Sequence, residues 1–116
     1  MRTGALLALL VALFAGSAFA QNAAPAGDVT KGKAAWIKYN CYSCHGYDGH
    51  GGAGVKVAPK PIAVTAFIAF VRHPPASTMP TFTAKVVSDQ DLRDMWAYLN
   101  TIPAPPAVKD IPLLNQ

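Results

Sequence analysis

Residues 41–52 read Cys41-Tyr42-Ser43-Cys44-His45-Gly46-Tyr47-Asp48-Gly49-His50-Gly51-Gly52. Two cysteines spaced i, i+3 fall on one side of a helical turn, and the histidine beside the second can turn its imidazole to the same side. That spacing suits two thioether bonds to the vinyl groups of a haem, with His45 as a ligand of its iron. Two other chemistries use parts of the pattern. A thioredoxin-like redox pair needs a βαβ setting, and no alternating strand pattern is visible around it. A zinc site would take Cys41, Cys44 and His45 plus a fourth ligand, but no second Cys-x-x-Cys and no His-x-x-x-His accompanies them. Cys41 and Cys44 are the chain's only cysteines, so it can form one internal cross-link at most.

Outward from this motif the chain reads as helices joined by long loops. Upstream, Asp28 can cap a helix running to about Asn40, with Gly32, Trp36 and Tyr39 on one face. Downstream, five glycines between Gly46 and Gly54 rule out regular structure. Lys56 to Pro61 continues the loop, with Pro59 and Pro61 fixing the backbone. Ile62 to Val71 is apolar and predicts a short helix, ended by His73-Pro74-Pro75. Ala76 to Val87 is a loop carrying Met79-Pro80. Ser88 then opens the most regular helix: Asp89 and Asp91 place negative charge in its first turn, and Leu92, Met95, Trp96 and Leu99 form one apolar stripe. Pro103, Pro105 and Pro106 stop that helix and begin an extended tail. Trp36 and Trp96 read as core at a helix crossing. The fold class expected is all-α.

The first residues stand apart from this domain. Arg2 precedes an apolar run from Ala5 to Ala15, and Ala18-Phe19-Ala20 offers a small-x-small cleavage site. Residues 1–20 are therefore expected to be a secretory signal peptide cut after Ala20, leaving the protein in the periplasm. An uncleaved anchor is the rival, but the run falls short of the roughly 20 residues a spanning helix needs, so no stable membrane insertion is expected. Residues 21–27 read as a flexible lead-in, 28–102 as the domain and 103–116 as a Pro-rich C-terminal tail. Without Arg2, nine Lys and Arg stand against six Asp, a net charge of about +3. The positives are scattered and not interleaved with aromatics, which excludes a nucleic-acid interface. A domain this small buries a modest core and commonly needs a staple, which a cofactor can supply.

With these residues in view, the chain resembles a class I bacterial cytochrome c over nearly all of its mature length. Gly32-x-x-x-Trp36 is similar to the family's glycine and aromatic on the N-terminal helix. Cys41 to His45, followed by Gly46, Asp48 and Gly49, resembles its common haem-binding form. Met79-Pro80 sits where the family carries its second axial ligand. Leu92 to Leu99 resembles its C-terminal helix. The resemblance implies a cytochrome c-like fold, with N- and C-terminal helices crossing around one covalently bound haem c. It also implies a proline carbonyl that accepts the second N–H of His45; Pro59 is the candidate and Pro61 the alternative, while a merely stiffened loop accounts for both prolines equally well.

Four side chains compete for the sixth iron position. Met95 lies on the apolar stripe and reads as packing. His50 sits in the glycine-rich loop and reads as solvated. His73, beside two prolines, reads as a surface residue or a neighbour of a haem propionate. Met79, in a loop ahead of a proline, is the residue expected to ligate. Arg72 could pair with a propionate or be an ordinary surface arginine. The function expected is one-electron transfer rather than catalysis, between partners such as a dehydrogenase donor and an oxidase or cytochrome acceptor. Lys56, Lys60 and Lys85 are candidates to ring the exposed haem edge. The alternatives are a cytochrome subunit of a dehydrogenase complex, with the tail as a docking strap, or a haem sensor or enzyme with an open sixth site. The tail is expected to pack back on its own domain.

Overall fold

The computed structural model describes residues 26–75 and 79–115. The expected signal segment, its expected cleavage point after Ala20 and the first part of the expected lead-in lie outside the described residues. Helix α1 spans Val29–Lys38. It starts where it does because Asp28 is extended and its carboxylate accepts the Lys31 N–H, satisfying one of the free donors of the first turn. It stops at Tyr39 and Asn40, where Asn40 takes a left-handed backbone (φ 57°) that asparagine tolerates. The Cys41 N–H then reaches back to the Trp36 carbonyl at 3.2 Å, closing the helix end. A single further turn, α2 (Tyr42–His45), follows at once.

Helix α3 (Val64–Arg72) begins two residues later than the apolar run predicts and buries Phe67. Helix α4 (Asp89–Thr101) is capped by Ser88, whose hydroxyl accepts the Asp91 N–H at 3.0 Å. Its stripe is as the spacing predicts: Leu92, Met95 and Leu99 are almost wholly buried, and Trp96 partly so. These side chains, with Ala35, Trp36, Ala58, Phe67 and Val87, make the core. Among the described residues there is no strand, so the fold is all-α, and no helix is long and apolar enough to cross a membrane.

α1 and α4 cross in direct backbone contact, and α3 packs against α4. Gly32 makes the crossing possible. A Cβ there would lie 1.9 Å from the Asp94 carbonyl oxygen, so only glycine lets the two backbones approach this closely. The two ends of α1 are tied to α4 by its acidic side chains. Buried Asp94 accepts the Asp28 N–H at 2.8 Å, and Asp91 accepts the Tyr39 hydroxyl at 2.8 Å. Trp96 Nε1 donates to the Ile62 carbonyl at 2.8 Å, fixing the approach to α3.

Two boundaries differ from the sequence reading. Gly27 lies against α4, with space for a Cβ closed off 2.2 Å from the Arg93 carbonyl. Gln90 reaches the Ala26 carbonyl, so the packed domain starts ahead of Asp28. The tail, by contrast, does not fold back onto the core. Its two short 3-10 turns, Val108–Asp110 and Pro112–Leu114, are closed by Asn115, whose side-chain Nδ2 lies within hydrogen-bond distance of the carbonyls of Val108, Lys109 and Ile111, which its two N–H groups share. That self-contained knot leaves Val108, Leu113 and Leu114 more than half exposed. Three prolines in its spacer have no N–H to donate, and the spacer's contact with the domain is at its root, where His50 Nε2 lies 2.8 Å from the Pro103 carbonyl oxygen.

Candidate haem site

The reversal at Asn40 carries the chain directly from α1 into Cys41-Tyr42-Ser43-Cys44-His45. Ser43 Oγ donates back to the Asn40 carbonyl, and the His45 N–H to that of Cys41, so the motif forms one closed turn. The orphan carbonyls at its end are taken by the glycine-rich loop: Gly54 N–H donates to Cys44 at 2.7 Å and Gly51 N–H to His45 at 2.9 Å. This brings the loop alongside the imidazole. His45 Nδ1 lies 2.7 Å from the Val55 carbonyl oxygen. A carbonyl only accepts, so Nδ1 is the donor here, which in a neutral ring leaves Nε2 as the nitrogen with the lone pair. Gly54 lets the loop come this near, since a Cβ there would sit 2.9 Å from His45 Cε1. Trp36 also lies near, its ring 6.1 Å from that of His45 and its Nε1 donating to the Gly46 carbonyl.

Both thiols are free. Cys44 is exposed, whereas Cys41 is half-buried with its sulfur 3.9 Å from that of Met95. Burial in this apolar setting pushes the Cys41 thiol up to about 11. Two unoxidised thiols and one oriented imidazole with a free Nε2, all on a single turn, fit the chemistry of covalent haem attachment. They do not fit a structural zinc site, because among the described residues no group of three or more His, Cys, Asp or Glu is placed to hold a metal ion.

Residues 27–99 match the family described as cytochrome c oxidase, cbb3-type, subunit III. The chain belongs to this family of c-type cytochromes. No curated protein and no solved structure matches the chain. The protein is thus a haem c protein of electron transfer, consistent with the single Cys-x-x-Cys-His motif that its sequence carries.

The cytochrome places its other expected site residues as follows. Met79 is partly buried in the loop between α3 and α4. Pro59 does not accept from His45, and neither does Pro61. The loop turns back at Gly54, ten residues' reach brings Val55 to the ring first, and the Val57 and Ala58 N–H groups are tied instead to the Gly49 carbonyl. Arg72 is not free for a propionate. Its guanidinium donates to the carbonyls of Phe82 and Val87 and pairs with Asp89, and its side chain is only 13 % exposed. The planar fork of arginine suits that multiple role, which pins the loop after Met79 and the start of α4 to the end of α3. Met95 is core, as its place on the stripe predicts. His73 is exposed. His50 is not simply solvated: it bridges Asp48 and the Pro103 carbonyl.

The sequence reading missed Val55, Asp94 and the partners of Arg72. Val55 acts through its backbone, which carries no residue signature. Asp94 had one available signal, an acid sitting directly beside the apolar stripe of α4, where a buried carboxylate needs donors from another element.

Proposed function

We propose that this cytochrome is a periplasmic one-electron carrier in which Cys41 and Cys44 hold the haem, and His45 and Met79 are the iron ligands. The observation that carries the reading is the orientation of His45, with Nδ1 spent on the Val55 carbonyl and Nε2 left to ligate. The haem iron supplies the one-electron couple. The protein's part is to hold the imidazole still between oxidation states, and the Val55 carbonyl, Gly54 and Trp36 are the groups set against it. A thioether from Met79 raises the potential relative to a second histidine and leaves no position open for substrate. Lys56 and Lys85 are exposed, and Lys60 is partly so, its ammonium lying 5.7 Å from the centre of the Phe70 ring. With them, docking to an acidic redox partner is weak and salt-sensitive.

The test is the optical spectrum of the mature holoprotein, oxidised and reduced, beside a Met79→Ala variant. Low-spin haem with a sulfur-to-iron charge-transfer band that the variant loses supports His/Met ligation. A high-spin wild type, or reduced protein that binds carbon monoxide at neutral pH, moves the reading to a sensor or enzyme.

A second reading is that the cytochrome works as one subunit of a larger electron-transfer complex. It is favoured by the family description, which names an oxidase subunit, and by the exposed apolar tail. Deleting the residues after Thr101 separates the two. Loss of a co-purifying partner with an unchanged haem spectrum supports the subunit; an unchanged partner profile supports the free carrier.

A further inference from the structure

The tail has three properties that a frayed chain end lacks. Its root is fixed, because the contact between His50 and the Pro103 carbonyl ties it to the glycine-rich loop that orients His45. Its spacer is stiff: Pro103, Pro105 and Pro106 fix their own backbones, and Ile102 and Ala107, at either end, are extended (ψ 121° and 148°). In that conformation residues 103–107 reach about 15 Å. Beyond them the two 3-10 turns and Asn115 make a knot folded on its own hydrogen bonds.

What the knot presents is apolar and carries no net charge. Leu113 is 78 % exposed, the highest value of any large apolar side chain among the described residues, and Val108 and Leu114 are exposed in the same knot. Lys109 and Asp110 are the only charged side chains from residue 101 to 115, and they pair with each other at 2.7 Å. Three aliphatic side chains held outward by a folded segment mark an interaction site. The charge decides which kind. An anionic lipid surface or an acidic protein face draws a segment in through its cations, and this knot has none to spare. Its complement is an uncharged apolar groove on a folded protein. Because the knot's own bonds already hold its shape, little further ordering is required on docking.

We propose, resting on the second reading above, that the Val108–Leu114 knot is an anchor that seats in an uncharged apolar groove of the redox protein with which the cytochrome exchanges electrons, Leu113 being the side chain that enters it first. Two attachments of different chemistry result. The exposed lysines of the domain dock through a field that salt screens. The knot holds through apolar burial, which salt does not weaken. The spacer sets the distance between the two, so the knot keeps the domain at a high effective concentration while the lysine contact forms and breaks.

The experiment places benzoylphenylalanine, a photocrosslinking side chain, at position 113 and, in a second protein, at position 56, and irradiates the cells that make each. The expected result is an adduct from position 113 with a protein that carries a redox centre. That protein, once purified, exchanges electrons with the holoprotein at about 0.5 M salt, where the lysine contact is screened. Replacing both leucines, Leu113→Ser with Leu114→Ser, should raise KM about 10-fold or more at that salt and leave kcat and the haem spectrum unchanged. An unchanged KM overturns the proposal. So does an adduct of position 113 with a second copy of this chain, with lipid or with a protein that has no redox centre. A redox protein captured from position 56 but not from position 113 overturns the anchor and leaves the reading of a larger complex standing. No redox protein from either position removes that reading together with the anchor.

Discussion

Gly32→Ala tests the helix crossing on which the haem motif hangs. By helix propensity alone the change should stabilise α1 by about 1 kcal/mol. The geometry says otherwise. The new methyl would lie 1.9 Å from the Asp94 carbonyl oxygen and 2.9 Å from the Met95 nitrogen. Ordinary contact begins near 3.4 Å, so α1 and α4 must separate by about 1.5 Å at this point, an overpacking distortion of the kind that costs about 1–3 kcal/mol or more. The same movement stretches the 2.8 Å bond from Asp28 N–H to Asp94 and leaves a buried carboxylate short of a donor, adding about 1–3 kcal/mol. The net expectation is a loss of about 3 kcal/mol, or roughly 15 °C in melting temperature for a domain of this size. Guanidinium unfolding of the holoprotein, followed by far-ultraviolet circular dichroism and tryptophan fluorescence, measures it. Ala34→Gly, at an exposed position of the same helix, is the control and should lose only about 1 kcal/mol. A Gly32→Ala protein as stable as wild type, or more so, would refute the close backbone crossing.

Arg72→Leu should cost about 3 kcal/mol, because two backbone carbonyls and Asp89 lose their donors, yet leave the haem spectrum unchanged; a shifted spectrum with unaltered stability would return Arg72 to the haem. Tyr39→Phe should cost about 1 kcal/mol at neutral pH. The Tyr39 hydroxyl holds the Asp91 carboxyl below its ordinary range, so this stability is present above that range and is lost as pH falls through the lowered folded-state value. Urea titrations of both proteins should therefore converge as pH falls below the ordinary carboxylate range, and a constant gap would exclude Asp91 as the partner. In haem-free protein near about pH 8, Cys44 should alkylate well before Cys41: the raised Cys41 thiol holds about 100-fold less thiolate than an ordinary cysteine, and it is also the more buried of the two. Mass spectrometry of partially alkylated protein reads the order, and equal labelling would contradict the burial of Cys41.

What the sequence made readable was everything whose determinants are local. The caps at Asp28 and Ser88, the stripe Leu92–Met95–Leu99 and the turn from Cys41 to His45 each depend on residues within a few positions of one another, and each appears where the spacing places it. The support of the site is built differently. His45 is oriented by a backbone carbonyl ten residues away, and any residue type offers that carbonyl, so choosing Val55 over Pro59 requires the path of the loop. Arg72 looked free because its partners lie ten to seventeen residues on. His50 looked solvated because Pro103, its acceptor, is 53 residues distant. An arginine or histidine in sequence announces its donors but not which acceptors the fold brings to them.

The acidic residues show how this support is assembled. All six aspartates are engaged within the chain. Asp28 caps α1 and Asp48 holds His50. In α4, Asp89 meets Arg72, Asp91 meets Tyr39, and Asp94 meets the Asp28 N–H. In the tail, Asp110 meets Lys109. The three in α4 fix α3 and both ends of α1 to one helix, and His45 follows directly from the C-terminal end of α1. Of these carboxylates Asp94 is buried and Asp89 is paired with Arg72, while Asp91 accepts from the Tyr39 hydroxyl. Each aspartate thus spends its acceptor capacity on an internal donor, and in α4 that capacity holds α1 and α3 to one helix, so the register of the haem motif depends on side chains that lie far from it in sequence.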